Sequence, residues 1–337
     1  MPSRNPCELC RRHATIMDSR LRGNDRNIMT QHSQNILVIK HGALGDIIIA
    51  TAGFKAIREQ FPTANIVVLT SSGFATLLAQ SPYFNEIWAD RKPKLWERDG
   101  IKRLKTMLNS QRWDYVFDLQ TSKRSTRYQW LLKKPWPIIS NVSRFASHGY
   151  TDKARHKKHA LTNLQIQLGM LGIAVGMPDI SWLEQDVANL QPPHAYALLV
   201  PGGAAHRPEK RWPDEQYAAL AHELAQQGIT PVLIGTDAEQ KAIQAIANRV
   251  PKAVNLCGKT SIAQLATLAR NASLAVGNDT GPMHVIAATG CPSTVLFSYA
   301  SDPVRSAPAG ASVRVLREKK LSELSVDRVL GTLVARA

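Results

Sequence analysis

Twice along this chain a short apolar run ends in a glycine-containing turn and gives way to a longer segment with helical periodicity. No other feature limits the fold so strongly. In the first series, 36–39 reads as a buried strand, 41–45 as a Gly-bounded turn, and Asp46 opens a helix reaching to about Gln60. Strands follow at 66–70, from Ile87, at 115–118 and at 137–141. Helices are expected over 74–80 and 95–110, after the 121–127 run to about Lys133, and up to about Leu171. The second series has strands at 196–200, 230–234, 254–256, 274–276 and 293–297, the last clear one, with helices over 212–227, 237–250, 261–270 and 283–289. Strands that alternate with helices make a parallel sheet with ligands at the carboxyl ends of the strands. A restart implies two such units, which 337 residues also favour.

The α/β organisation therefore reads as an N-terminal Rossmann-like domain over 35–175, a Gly- and Pro-rich linker over 176–194, and a second Rossmann-like domain over 195–320. The tail, 321–337, carries an amphipathic helix expected to return to the first domain. Residues 1–34 are polar and Arg-rich, are expected to be disordered, and lack the apolar core of a secretory signal. Met17 and Met29 are alternative starting residues. Cys7 and Cys10 with His13 offer one C-x-x-C pair, which alone closes no four-ligand zinc site. With Cys257 and Cys291 far away, the cysteines form no disulfide framework and favour a reducing compartment.

Net charge is +16 and concentrated: residues 91–160 hold eighteen Lys or Arg against five Asp or Glu, a net +13. Such a face meets an anionic partner, whether nucleic acid, phospholipid head groups or an acidic glycolipid, unless it is simply solvated. No apolar run approaches the ~20 residues of a membrane-spanning helix.

Within the second series, Leu274 to Cys291 runs from a strand end through a turn into a helix. Thr280 or Asp279 can cap that helix, Pro282 falls where a missing N–H costs nothing, and His284 sits in the first turn. Several free backbone N–H groups and the positive end of a helix dipole should converge there, an anion site suited to a phosphate-bearing ligand. Joints of this composition also occur in α/β proteins that bind nothing, so the motif draws its weight from its companions.

Those companions are Lys40-His-Gly-Ala-Leu-Gly-Asp46 and Pro201-Gly-Gly-Ala-Ala-His-Arg-Pro-Glu-Lys-Arg-Trp-Pro213, which precede Gly277-Asn-Asp-Thr-Gly-Pro-Met-His284. Together the three motifs resemble the heptosyltransferases of glycosyltransferase family 9, which build the inner core of lipopolysaccharide. The resemblance spans about 35–335. It implies a GT-B fold, two Rossmann-like domains facing across a cleft, with the ADP-heptose donor in the C-terminal half. The anionic acceptor, Kdo–lipid A or a heptosylated core, would lie in the N-terminal half, where the basic segment falls. It also implies a cytoplasmic enzyme working peripherally at the inner face of the cytoplasmic membrane, with no cofactor and no nucleic-acid partner.

Sugar transfer needs a base for the acceptor hydroxyl, stabilisation of the departing diphosphate, and a cleft that holds both. Asp46 matches the family's general base, while on the residues alone it is equally a first-turn helix acid. No D-x-D pair is present to hold a divalent metal, the nearest being Asp237-Ala-Glu239. The leaving charge is therefore expected to fall to Lys210, Arg211 and the helix start at 280–284. In the family, the positions of Lys210, Asp279, Thr280, Gly281 and His284 contact donor phosphates and sugar, although a lysine before a helix is also a common surface residue. Glu239, or else Asp237, matches an acid on the nucleotide ribose.

His206 and Arg207 stand where the family often has hydroxyl residues and could line the phosphate pocket, whereas Trp212 and Pro213 read as core and helix start. Lys123, Arg124 and Arg127 are the candidate acceptor contacts, with His156 and His159 on the same basic face. The expected activity is inverting, metal-independent transfer of heptose from ADP-heptose to Kdo or heptose of the core. The alternatives are a related transferase using another nucleotide sugar, and a non-catalytic binder of nucleic acid or anionic membrane. Aromatic residues in 91–160 form no base-stacking pattern, which argues against a nucleic-acid binder. Gly42-x-x-Gly45 lacks the full G-x-G-x-x-G and its ribose acid, which argues against a dinucleotide enzyme.

Overall fold

The computed structural model describes residues 33–94, 96–191, 193–203 and 207–336; Cys7, Cys10, His13 and His206 lie outside the described residues, as does the expected disorder of the first 32. Among the described residues, twelve strands form two parallel sheets. The first contains β1 (Asn35–Ile39), β2 (Asn65–Ser71), β3 (Glu86–Asp90), β4 (Tyr115–Asp118), β5 (Ile138–Asn141) and β6 (His148–Gly149) in the order β3-β2-β1-β4-β5-β6. The second contains β7 (Tyr196–Val200), β8 (Thr230–Leu233), β9 (Val254–Asn255), β10 (Leu274–Asn278), β11 (Ser293–Phe297) and β12 (Val313–Arg317) in the order β12-β11-β10-β7-β8-β9. Counted from its own first strand, the second sheet repeats the doubly wound order of the first. The strand order turns back between β1 and β4 and between β7 and β10, where such sheets leave a crevice outside the carboxyl ends.

The helices are α1 (Leu44–Gln60), α2 (Ser72–Leu78), α3 (Arg98–Leu108), α4 (Lys123–Thr126) and α5 (Ala160–Gly169) in the first lobe. The second lobe carries α6 (Asp214–Gln226), α7 (Gln240–Arg249), α8 (Ile262–Asn271), α9 (Gly281–Ala288), α10 (Pro303–Ser306) and α11 (Val326–Leu330). Helices on both faces require strands apolar throughout, and Ile36, Leu37, Val38 and all of β7 are buried. α1 packs against α5 and, across the lobe boundary, against α9. Ile47 and Ile48 accordingly share one apolar cluster with Met283, Val285 and Ile286. The chain crosses between the lobes along a segment that Lys55 of α1 holds by an ion pair to Asp179 (2.8 Å). Arg270 of α8 grips the same segment through the carbonyl oxygens of Ile180 (2.7 Å) and Leu183 (2.9 Å).

Three expectations need correction. The tail does not return to the first lobe. It forms a 3₁₀ turn (Leu321–Glu323) and the short α11, which packs on α6 of the second. Leu321, Leu324 and Val329 complete a core with Trp212, Tyr217 and Leu220, Trp212 Nε1 donates to the Leu324 carbonyl (2.9 Å), and Arg336 N–H reaches the Ser273 carbonyl (2.7 Å). The amphipathic stripe thus finds its apolar partner within its own lobe. Second, the helix expected to run to Lys133 is only α4 followed by a 3₁₀ turn, Arg127–Leu131. Third, two edge strands, β6 and β12, were not expected.

Candidate functional site

The first lobe delivers its acid from the end of its central strand. Beyond β1, Lys40 is buried, its Nζ donates to the Leu119 carbonyl (3.2 Å), and desolvation lowers its pKa against the opposing pull of Asp46 and Asp118. After the 41–43 turn, Asp46 is the third residue of α1, and its Oδ2 accepts the Ala43 N–H at 3.2 Å. That is the helix-start role. The carboxylate is nonetheless exposed and lines a crevice of about 1260 Å³ between the lobes. A carboxylate has about four lone-pair sites, so one cap bond leaves room for another donor.

The second lobe delivers the opposite wall. Lys210 ends a 3₁₀ turn (Pro208–Lys210), and its Nζ lies 2.7 Å from Asp279 Oδ2, both side chains largely buried. An ammonium has three donors, so this pair leaves Lys210 able to hold a phosphate oxygen as well. What brings the two residues together is Asn278, wholly buried at the end of β10. Its Oδ1 accepts from Trp212 N–H (3.1 Å) and Tyr217 Oη (3.1 Å), and its Nδ2 donates to the carbonyls of Pro201 (2.8 Å) and Gly202 (3.1 Å). One amide thus ties the β7 turn and the Lys210 segment to the strand that carries Asp279. Local sequence marks Asn278 only as a turn residue, because its partners lie 61 to 77 positions away.

The lobes touch where α1 and α9 begin. A Cβ on Gly45 would lie 2.7 Å from His284 Cδ2, so only glycine lets the imidazole sit against α1. Burial holds the His284 pKa down at about 4, although Asp279 and Asp46 pull it upward. The ring is therefore neutral near pH 7. Its Nδ1 is buried without a hydrogen-bond partner, as is Thr280 Oγ1, and both residues line the crevice. Two orphaned polar atoms beside one cavity fit a polar ligand. The run of free amides expected here is narrower in fact: Asp279 N–H donates to the Leu296 carbonyl, Met283 N–H to that of Thr280, and Pro282 has none.

A second cavity of about 750 Å³ opens off the crevice, sharing Leu44, Arg207, Lys210 and 279–282 as a common wall. Its own walls are mostly apolar, with Val200, Ile234, Ile262 and Leu265, and Glu239 stands in it. Glu239 Oε2 accepts from Thr236 N–H (2.9 Å) and Oγ1 (2.6 Å). A Cβ on Gly202 would come within 2.9 Å of Glu239 Cγ. Asp237 does not line this cavity and lies against Gly258 instead.

The other expected residues divide. Gly281 and Arg207 line both cavities, and Trp212 is core. Arg211 turns away, its Nη2 holding the Gly203 carbonyl at 2.5 Å. Arg124 lines a separate recess of about 460 Å³ with His41, Ser71 and Lys92, whereas Lys123 and Arg127 are exposed and do not line the crevice. His156 lines the crevice; His159 caps α5 and bridges the lobes through Nε2 to the Ala307 carbonyl (2.8 Å). Arg155, Lys158, Arg305 and Arg317 also face the crevice, in addition to Arg207 and Lys210. The first two flank His156 within the basic 91–160 segment, whose charge does not show which of its cations turn inward.

Two facing doubly wound lobes with this shared crevice are the GT-B architecture, and solved glycosyltransferases have the same fold. A glycosyltransferase of family 9 from Veillonella parvula superposes with a TM-score of 0.74 at 22% identity, covering 89% of this chain and 95% of that one. An E. coli ADP-heptose lipopolysaccharide heptosyltransferase II gives 0.70 at 22% identity, covering 89% and 97%. The chain belongs to glycosyltransferase family 9 (heptosyltransferase), whose sequence model matches residues 101–329. Among characterised relatives it is 27% identical to lipopolysaccharide heptosyltransferase 2 of Salmonella typhimurium, over 84% of this chain and 87% of the relative. It is 23% identical to the lipopolysaccharide core heptosyltransferase OpsX of Haemophilus influenzae, over 83% of each.

Proposed function

We propose that this enzyme moves heptose from ADP-heptose onto a Kdo or heptose residue of the lipopolysaccharide inner core, with inversion and without a metal ion. The observation that carries the reading is the crevice itself: Asp46 of one lobe and Lys210, Asp279, Thr280 and His284 of the other line one space. The family and the names of the relatives supply the substrate class.

In this reading the nucleoside occupies the apolar cavity with Glu239 on its ribose. The diphosphate meets Lys210, Arg207 and the start of α9 at the common wall, and the heptose extends past His284 toward Asp46. Asp46 takes the proton of the acceptor hydroxyl as it attacks the anomeric carbon. Lys210 and the helix dipole carry the charge left on ADP, the part an ion would otherwise play. The chain has no D-x-D pair, and among the described residues no three His, Cys, Asp or Glu side chains cluster as metal ligands. The acceptor's anionic groups meet Arg155, Lys158 and Arg124, with Lys123 and Arg127 further out, so acceptor recognition falls to the 35–175 domain and donor recognition to 195–320. No described helix is long and apolar enough to cross a membrane; we place the enzyme at the cytoplasmic face of the inner membrane, where a lipid-anchored acceptor is presented.

A thermal-shift panel of ADP-, UDP- and GDP-sugars tests the donor. A ligand at 100 times its Kd adds about 2.7 kcal/mol of stability, so ADP-heptose should raise the melting temperature clearly above the other sugars. Stabilisation by a UDP- or GDP-sugar and not by ADP-heptose would move the enzyme to another donor.

A further inference from the structure

On the β5–β6 side of the first lobe, three aromatic side chains meet edge to face in the open. Trp130, in the 3₁₀ turn after α4, lies 5.4 Å from Trp136 and 5.5 Å from Phe145, with interplanar angles of 73° and 64°. They are 50%, 41% and 55% exposed, and Ile138 near them in sequence is 38% exposed. A contiguous aromatic group left in water marks a binding surface. Cations accompany it: Lys134 Nζ stands 5.5 Å from the Trp136 ring centre and the Arg144 guanidinium 4.7 Å from that of Phe145. Between Asp118 and Asp152 the sequence has six Lys or Arg and no acid.

We propose that Trp130, Trp136 and Phe145, flanked by Lys134 and Arg144, form a docking patch for an anionic phospholipid bilayer. Aromatic rings suit the boundary between head groups and acyl chains, and neighbouring lysine and arginine are drawn to anionic lipid while their charged ends stay in water. Single-stranded nucleic acid fits less well. It needs open ring faces as stacking platforms, and here the rings meet edge to face, with Lys134 over the face of Trp136 and Arg144 over that of Phe145. A second copy of the chain fits less well too, because two acid-free basic patches would repel. The proposal rests on the membrane-presented acceptor of the function above; the patch uses none of the crevice residues, so a failure of docking and a failure of donor binding are read by different measurements.

The test sediments the full chain with vesicles of phosphatidylcholine, alone or mixed with phosphatidylglycerol. The protein should pellet with the anionic vesicles only, release with added salt, and show a blue-shifted tryptophan emission quenched by acyl-brominated lipid. Lys134→Glu with Arg144→Glu should weaken binding by tenfold or more, since each cation near an anionic surface is worth roughly fivefold. Trp136→Ala with Phe145→Ala should also weaken it by about tenfold and reduce the blue shift at a given lipid concentration. Both double variants should keep the melting temperature and the ADP-induced stabilisation of the wild type. They should also keep its turnover on a deacylated, soluble acceptor, while losing turnover on acceptor embedded in anionic vesicles. Failure of the wild type to pellet with anionic vesicles, or pelleting indifferent to both variants, overturns the proposal. So does a wild-type dimer that dissociates on the aromatic substitutions, or an RNA oligonucleotide whose binding those substitutions abolish while vesicle binding survives. A wild type that docks but is not stabilised by ADP counts against the proposed donor and leaves the patch standing.

Discussion

Replacing Asn278 by alanine should unfasten the donor wall without touching any ligand. The side chain is wholly buried and makes four hydrogen bonds, accepting from Trp212 N–H and Tyr217 Oη and donating to the carbonyls of Pro201 and Gly202. Each is worth about 1 kcal/mol net, and a buried donor or acceptor left orphaned costs about 1–3 kcal/mol. Tyr217 Oη keeps the Val200 carbonyl (3.2 Å), so its loss is partial. The sum is about 3–5 kcal/mol out of the ~5–15 kcal/mol that holds a typical domain. With about 2 cal/mol/K of unfolding entropy per residue, a chain of 337 residues should melt about 4–7 °C lower. The turn before Lys210 and the Gly202 turn then lose their common anchor, and the ADP Kd should rise by about tenfold or more. Asn278→Asp isolates the amide: it keeps an acceptor for Trp212 and Tyr217 but turns oxygen toward two carbonyls, and should be at least as damaging. Differential scanning calorimetry with ADP titration calorimetry reads both quantities. An alanine variant that melts within about 1 °C of the wild type and binds ADP normally would show that Asn278 does not assemble the site.

Lys210→Ala removes the cation 2.7 Å from Asp279 and leaves that largely buried carboxylate unpaired. A charge-assisted hydrogen bond is worth about 1.5–3 kcal/mol, so the ADP Kd should rise about 10- to 100-fold, with Lys210→Arg recovering part of the loss; a change under twofold by calorimetry would remove Lys210 from the phosphate site. His284 predicts a pH effect. Its folded pKa of about 4 lies below its ordinary 6.5, so the stability it supports is complete above about pH 6.5 and drains away as pH falls toward about 4, by up to ~3 kcal/mol. Asp118, pushed up to about 6 by burial, acts with the opposite sign over the lower part of that range. The check is therefore the difference between wild type and His284→Asn in urea melts across pH 7 to 4: the wild type should lose more stability, and parallel curves would refute the assignment.

The strands that form the centres of both sheets were legible because a strand covered on both faces must be apolar throughout. β12 escaped because it is an edge strand reading Val-Arg-Val-Leu-Arg, where charge protects an open edge and breaks the apolar run. β6 is two residues long and carries no pattern at all. The tail's amphipathic stripe showed that Leu321 and Leu324 needed an apolar partner but not which, and Trp212 with α6 supplied it. Asp46 and His284 were legible as positions after strand ends. Their approach across the lobe boundary, with Gly45 making room for the imidazole, depends on two segments far apart in the chain. Arg155 and Lys158 were legible as charge but not as crevice lining, since a basic run says nothing about which cation turns inward.

The most direct measurement is turnover by Asp46→Asn. The amide keeps an oxygen for the Ala43 N–H, so the start of α1 and the melting temperature should hold, and the donor wall is untouched, so ADP affinity should match the wild type. An amide does not take the acceptor proton, and heptosyl transfer should fall by a factor of ~10² or more. Wild-type turnover in that variant would show that Asp46 only begins a helix, and that the chemistry facing the diphosphate across the crevice comes from another residue.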